Sequence, residues 1–131
     1  MNGPPGVECR ILRLLDTGTP LVDTGNETRA MPILGIVVPT PPPDGYARIL
    51  IDRLGKAGRH LRCEPIGDAA MGSARFYYLG WRDKSGDVWM DLAATLLEEG
   101  LVSVGPEPFP QRQEYQRYER QAREQQLGIW A

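Results

Sequence analysis

A chain of 131 residues, 41% of them hydrophobic, is long enough for one compact core and too short for two ordinary domains. Its 15 Lys and Arg against 17 Asp and Glu leave a net charge of −2, so the chain as a whole does not attract a phosphate backbone. No run of roughly 18 apolar residues is present, and Met1-Asn2-Gly3-Pro4-Pro5-Gly6 has neither the basic charge nor the apolar follow-on of a signal peptide. The expectation is one soluble domain over 1–131, cytoplasmic or exported after loss of a leader, with 1–6 as a disordered tail.

From Val7 to Leu15 the residues alternate, with Val7, Cys9, Ile11 and Leu15 on one side, which is the period of a half-buried strand. Asp16-Thr17-Gly18 reads as a turn. Leu21-Val22 and Arg29 to Leu34 read as two further strands, joined through the hairpin cluster Asp23-Thr24-Gly25-Asn26. Pro39 to Pro43 breaks the chain, because proline fixes φ and withholds an amide donor. Asp44 then offers a helix cap, and Ala47, Leu50, Ile51 and Leu54 form the stripe of an amphipathic helix that Gly55 or Gly58 closes.

His60 to Glu64 and the aromatic-rich Phe76 to Trp81 read as strands. Ser85-Gly86-Asp87 makes a turn. Asp91 caps a second helix presenting Leu92, Leu96 and Leu97, with Gly100 just past its end. After Pro106 to Pro110 a last helix spans roughly Gln111 to Gln126, with Tyr115, Tyr118 and Ala122 on one face. Five strands and three helices in the order β-β-β-α-β-β-α-α predict an α+β fold that is mainly β barrel, the five-stranded oligonucleotide/oligosaccharide-binding (OB) type with added helices.

Three stretches carry a family resemblance: Gly35-Ile36-Val37-Val38-Pro39, Gly100-Leu101-Val102-Ser103-Val104, and Ala122-Arg123 running into Leu127-Gly128-Ile129-Trp130. In this order and spacing they resemble the staphylococcal-nuclease-like (thermonuclease) family, whose stretches read roughly Arg-Leu-x-Gly-Ile-Asp-x-Pro-Glu, Gly-Leu-Ala-x-Val and Ala-Lys…Leu-x-Ile-Trp. The resemblance implies the same barrel. It also implies phosphodiester hydrolysis with a calcium ion held mainly by two aspartates, a glutamate beside the attacking water and two arginines on the phosphate. Such chemistry needs hard oxygen ligands for the cation and fixed positive charge around the transition state.

Carried over position by position, that machinery falls on unsuitable residues. With Asp16 and Thr19 as anchors, one liganding aspartate becomes Gly18. With Gly35-Ile36 and Pro39 as anchors, the other becomes Val37, the first arginine becomes Pro32, the threonine neighbour becomes Val38 and the glutamate becomes Thr40. Gly72 matches the glycine before the second arginine, which puts Ser73 in its place. Proline and valine side chains neither bind phosphate nor accept a proton, and a threonine hydroxyl is a poor base near neutral pH. No catalytic residue and no metal ligand is therefore expected.

The residual cleft candidates are Asp16, Thr19, Thr40, Asp44, Arg75 and Tyr77. Arg75 lies two residues beyond Ser73, on the same face of a strand, and so is a remaining cation for the cleft. Asp23, Glu27, Glu64 and Asp68 are further acids, with Asp68 read as a solvated loop carboxylate. His60 has no cysteine or second histidine at ligand spacing. Tyr77, Tyr78, Trp81 and Arg75 offer a base-stacking platform, opposed by the alternation that sends Phe76 and Tyr78 into the core. Arginines and glutamates interleave along the last helix, with Glu119 and Arg123 four apart, as on a solvated, salt-bridged surface; Trp130 reads as docking that helix on the barrel. In the barrel the strands of Cys9 and Cys63 become neighbours, which leaves open either two thiols or one cross-strand bridge.

The reading is a catalytically inactive nuclease-like domain acting as a binding or scaffolding module for another protein, with no cofactor. Two alternatives remain: a calcium-dependent phosphodiesterase with a relocated site built from Asp16, Asp44, Asp68 and Arg75, or single-stranded nucleic-acid binding without cleavage, which the overall charge does not favour.

Overall fold

Alternation in the N-terminal stretch builds two strands, β1 (Val7–Glu8) and β2 (Arg10–Leu14), that meet at Cys9. A computed structural model describes residues 3–56, 60–66 and 72–131. Within the expected disordered tail, Gly6 lies against β6 (Leu61–Pro65), where its carbonyl accepts a hydrogen bond from Arg62 at 2.7 Å. The strict alternation predicted for Val7 to Leu15 does not hold. A register shift between Ile11 and Arg13 puts Leu12 and Arg13 both outside, because one extra residue reverses the parity of a strand; Ile11 is buried, Leu14 packs on the core, and Val7 is exposed.

Strand β2 pairs antiparallel with β3 (Pro20–Asp23), and β3 with β4 (Thr28–Ala30). The β3–β4 hairpin is held by the Asp23 carboxylate, which accepts from the Gly25 N–H at 2.8 Å. The third predicted strand ran on to Leu34, yet its ladder stops at Ala30, just ahead of Pro32, which has no amide to give. The chain instead crosses to β7 (Ala74–Asp83): Ala74 donates to Pro32 O and Leu34 donates to Ala74 O, each at 2.9 Å, forming a parallel bridge between Ile33 and Ala74. That bridge and the passage of the chain through Cys9 join the three-stranded sheet β2-β3-β4 to the four-stranded sheet β1-β6-β7-β8, whose last strand, β8, is Gly86–Asp91. Strand β5 (Ile36–Val37) pairs separately with β9 (Ser103–Val104).

The proline run ends in helix α1 (Asp44–Ala47), which continues from Arg48 to Lys56 in wider i→i+5 turns. Asp44 does not cap it. Pro43 holds the cap position without a side-chain bond, and Asp44 is the first helical residue, where a carboxylate still favours the helix dipole. The buried face is Tyr46, Ile49, Leu50 and Leu54, with Ala47 exposed and Ile51 half-buried. The buried positions keep helical spacing, and the stripe is rotated by about one residue from the one predicted, with Tyr46 inward in place of Ala47. The helix passes through Gly55; Gly58 lies outside the described residues.

Strand β8 (Gly86–Asp91) follows β7 in a hairpin and had been read only as a turn and a cap. Its Val88, Trp89 and Met90 are all half-buried, which blurs the alternation that marks a strand. With β5, β8 and β9 added and the first strand divided, the described residues form nine strands and three helices, an α+β OB-type barrel.

Asp91 ends β8 and caps helix α2 (Leu92–Glu98), accepting from the Ala93 and Ala94 amides at 3.0 and 3.4 Å. Its other oxygen accepts from Arg75 on β7 at 2.8 Å and from the Tyr115 hydroxyl at 2.6 Å; Tyr115 belongs to helix α3 (Arg112–Glu124). One carboxylate thus joins the sheet to both C-terminal helices. Helix α2 ends in a paired cap, with Gly100 donating to Leu97 O and Leu101 to Leu96 O, which requires the positive φ of Gly100.

Helix α3 buries Tyr115 and Ala122 and packs Tyr118 on the core. Glu119, read as a surface residue, reaches further: it accepts from the Val104 amide at 2.7 Å and fixes β9, while Arg123 lies 3.6 Å from its other oxygen. Beyond α3 the backbone turns back onto α2, and Ile129 donates to Gly100 O at 2.7 Å. Trp130 stacks on the last turn of its own helix, with the Arg123 guanidinium 4.1 Å from its ring centroid.

Two stability predictions follow from these joints. Replacing Asp91 with Ala removes a cap and leaves the Arg75 guanidinium and Tyr115 hydroxyl without their acceptor, at an expected cost of about 3 kcal/mol in urea unfolding. Asp91→Asn keeps the capping oxygen but turns an amide N–H toward Arg75 in place of the acceptor, and is expected to recover only the cap's share, about 1 kcal/mol. Gly100→Ala puts a Cβ into the Leu127 carbonyl at positive φ and is expected to cost about 3 kcal/mol; Gly25→Ala, also at positive φ but with nothing within 4 Å, is expected to cost about 1 kcal/mol.

Candidate functional site

The cleft implied by the family resemblance forms where the β2–β3 turn meets the segment entering α1. Leu15 accepts from Gly18 at 2.8 Å and donates to Thr19 O at 2.9 Å, a tight turn that sets Gly18 at φ +89°. A Cβ at Gly18 would come within 2.8 Å of Val38 Cγ1 and 3.3 Å of Tyr46 Cε2. Tyr46, buried at the start of the first helix, donates its hydroxyl proton to Gly18 O at 2.5 Å. The turn, β5 and α1 are therefore packed directly on one another.

A small cavity of about 130 Å³ remains, lined by Thr17, Thr19, Pro20, Pro32, Ile33, Ile36, Val38 and Tyr46. Its polar groups are hydroxyls only. Thr17 and Thr19 bond to each other at 3.1 Å, and burial raises the Tyr46 phenol above its ordinary pKa, so it stays protonated near neutral pH. A calcium ion asks for six to eight oxygen ligands, with carboxylates among them, and no carboxylate lines this cavity. The residues present do not fit that ion.

The remaining family positions are scattered. Val37, the last residue of β5, faces solvent at 46% exposure while Val38 just beyond it packs on the core, and Thr40 is also exposed. Asp16 is exposed on the turn and Asp44 is exposed at the first turn of α1. Ser73 is half-buried just before β7, and Asp68 lies outside the described residues.

Arg75 is committed elsewhere. Its bond to Asp91 holds it against the C-terminal helices, with side chains of both partners 19% exposed, and its guanidinium sits 5.1 Å from the Tyr77 ring centroid. Burial opposes its charge, but the Asp91 bond and nearby oxygens outweigh that and raise its pKa. Tyr77 donates to Glu64 at 3.4 Å, and Tyr78 turns inward to bond Thr95 at 2.8 Å. These engagements dismantle the proposed stacking platform, of which Trp81 alone is open, at 53% exposure.

Sequence reasoning missed Tyr46 and Tyr115 as site-building residues. Tyr46 precedes Ile49 and Leu50 by three and four positions, a helical spacing that identifies it as an inward residue. For Tyr115 the bond to Asp91 is purely tertiary, and no local signal announces it.

On the outer face of the four-stranded sheet lies an open groove of about 510 Å³ lined by Gly3, Glu8, His60, Arg62, Arg82, Gly86, Asp87 and Trp89. Its charges are largely satisfied within it: Arg82 pairs with Asp87 at 3.2 Å, and His60 lies 4.0 Å from Glu8. Among the described residues no group of three or more His, Cys, Asp or Glu side chains is arranged to hold a metal ion.

No curated protein matches this chain. A family model described as staphylococcal nuclease homologue matches residues 76–131, which run from β7 through β8 and the C-terminal helices to Ala131. Residues 76–131, somewhat less than half of the chain, are thus similar to the staphylococcal nuclease homologue family.

Proposed function

We propose that this domain is a catalytically inactive nuclease-like barrel that works as a binding and scaffolding module, with another protein as its partner and no cofactor. The observation that carries this reading is the wall of the family cleft: proline, isoleucine, valine and a protonated phenol stand around the cavity. Neither a guanidinium for phosphate nor a base for water lines it, and 130 Å³ is smaller than ordinary ligand pockets of about 300 Å³ and more. A net charge of −2 weighs against nucleic acid as the partner. Recognition is left to the surface, where the outer groove sets Trp89 beside Arg62 and Arg82, with Trp81 two positions before the hairpin turn. Tryptophan and arginine are the side chains enriched at the energetic centres of protein interfaces.

Cleavage assays on single-stranded DNA and RNA with calcium are expected to show no turnover, and calorimetric titration with calcium no saturable heat. Metal-dependent turnover lost in Asp16→Ala or Asp44→Ala would overturn the reading. Affinity capture is expected to retain a protein after nuclease treatment and to lose it with Trp89→Ala.

The cleft's repair is a separate test. Gly18→Asp, which restores the missing carboxylate, is expected to lower stability by about 3 kcal/mol, since the new Cβ meets Val38 at a positive φ, and to bring no calcium-dependent activity. Wild-type stability together with calcium binding in that variant would contradict the packing described for the turn.

A further inference from the structure

Cys9 and Cys63 are free thiols that the barrel brings together from distant parts of the chain. Strand β1 pairs with β6 in the register Val7 to Cys63 and Glu8 to Arg62, and the Cys9 amide extends that ladder by donating to Leu61 O at 3.0 Å. Cys9 and Cys63 are therefore diagonal neighbours at the joint where the chain passes from one sheet to the other. Both pack into the core, and each lies close enough to shift the other's titration, Cys63 raising Cys9 and Cys9 lowering Cys63.

We propose that Cys9 and Cys63 form a redox-modification site, closed into an intramolecular disulfide by a small-molecule disulfide such as oxidised glutathione. Cys9 is half-buried, whereas Cys63 has no exposed surface, so the order of events is set by access. The Cys9 sulfur attacks one sulfur of the oxidant; its S–S bond breaks, a mixed disulfide forms on Cys9, and one small thiol leaves with the proton. The Cys63 sulfur then attacks Cys9 in that mixed disulfide, forming the Cys9–Cys63 bond and expelling the second small thiol with the second proton. Two protein thiols are oxidised and one oxidant disulfide is reduced. The neighbouring Cys63 and burial raise the pKa of Cys9, which makes the first exchange slower than at an unhindered thiol.

The product staples the N-terminal strand to β6 at the sheet joint. Closing a loop of roughly 50 residues restricts the unfolded chain, and the thermal midpoint is expected to rise by about 10 °C. The test is to incubate the folded, full chain with oxidised glutathione, block remaining thiols, and digest it for mass spectrometry alongside a thermal melt. The expected result is a monomer with two hydrogens fewer, a linked peptide pair containing Cys9 and Cys63, and the higher midpoint reversed by reductant. Cys9→Ser and Cys63→Ala are both expected to abolish the shift; Cys9→Ser alone suffices should the buried substitution prevent folding. Recovery of both cysteines in alkylated form, a glutathione adduct that persists on Cys9, or disulfide-linked dimers would each overturn the proposal.

Discussion

The Asp91 carboxylate is the constraint on which the C-terminal half of this barrel depends. It ends one strand, starts the next helix, and holds the Arg75 guanidinium and the Tyr115 hydroxyl on one oxygen. A charge so placed, with 19% of its side chain exposed, tolerates removal from water only because every side of it meets a donor. Orientation follows from that requirement. Helix α3 must present Tyr115 to Asp91, which positions Glu119 one turn later to take the Val104 amide and so places β9 beside β5. The path from Asp91 to β5 reaches the edge of the family cleft without passing through a catalytic group.

The other half of the barrel is governed by where the backbone leaves its ladders. Pro32 ends pairing with β3 because it has no amide, and the chain then meets Ala74 in parallel to close the sheets on that side. On the opposite side Cys9 occupies the joint between β1 and β2. Each joint links the two sheets through a different stretch of chain, which is how a small barrel removes its edges.

What was legible in the sequence was whatever local chemistry decides. The capping carboxylate of Asp91, the positive φ of Gly100 after α2 and the Asp23 to Asn26 hairpin were readable because each satisfies its backbone groups within a few residues. The helix stripe from residue 44 fits two neighbouring faces, through Ala47 or through Tyr46, and hydrophobic spacing alone does not choose the one that carries Tyr46, whose hydroxyl bond to Gly18 shapes the cleft. Arg75, a cation offered to the cleft by strand spacing, is bonded instead to Asp91. Strand parity correctly gives a face, but the partners available on that face, Asp91 and Tyr115, come from distant segments. The residues at the positions the resemblance marks were readable from the motifs, whereas the tightness of their packing needed coordinates.

Those replacements are mutually dependent rather than a set of independent losses. With glycine at position 18 the turn reaches φ +89°, which lets Val38 and Tyr46 approach the backbone; with Val38 and Tyr46 in place, no larger residue at 18 has room. The apolar cleft therefore stabilises the turn that leaves no space for a carboxylate. The family match covers 76–131, where Asp91, Gly100 and the closing helix maintain the frame, while Gly18, Pro32, Val37 and Thr40 all lie outside it. Frame and cleft are physically separable in this barrel because the frame's strongest joints sit among β7, β8 and the C-terminal helices. A chain that keeps those joints can pack the opposite cleft with hydrocarbon and remain folded.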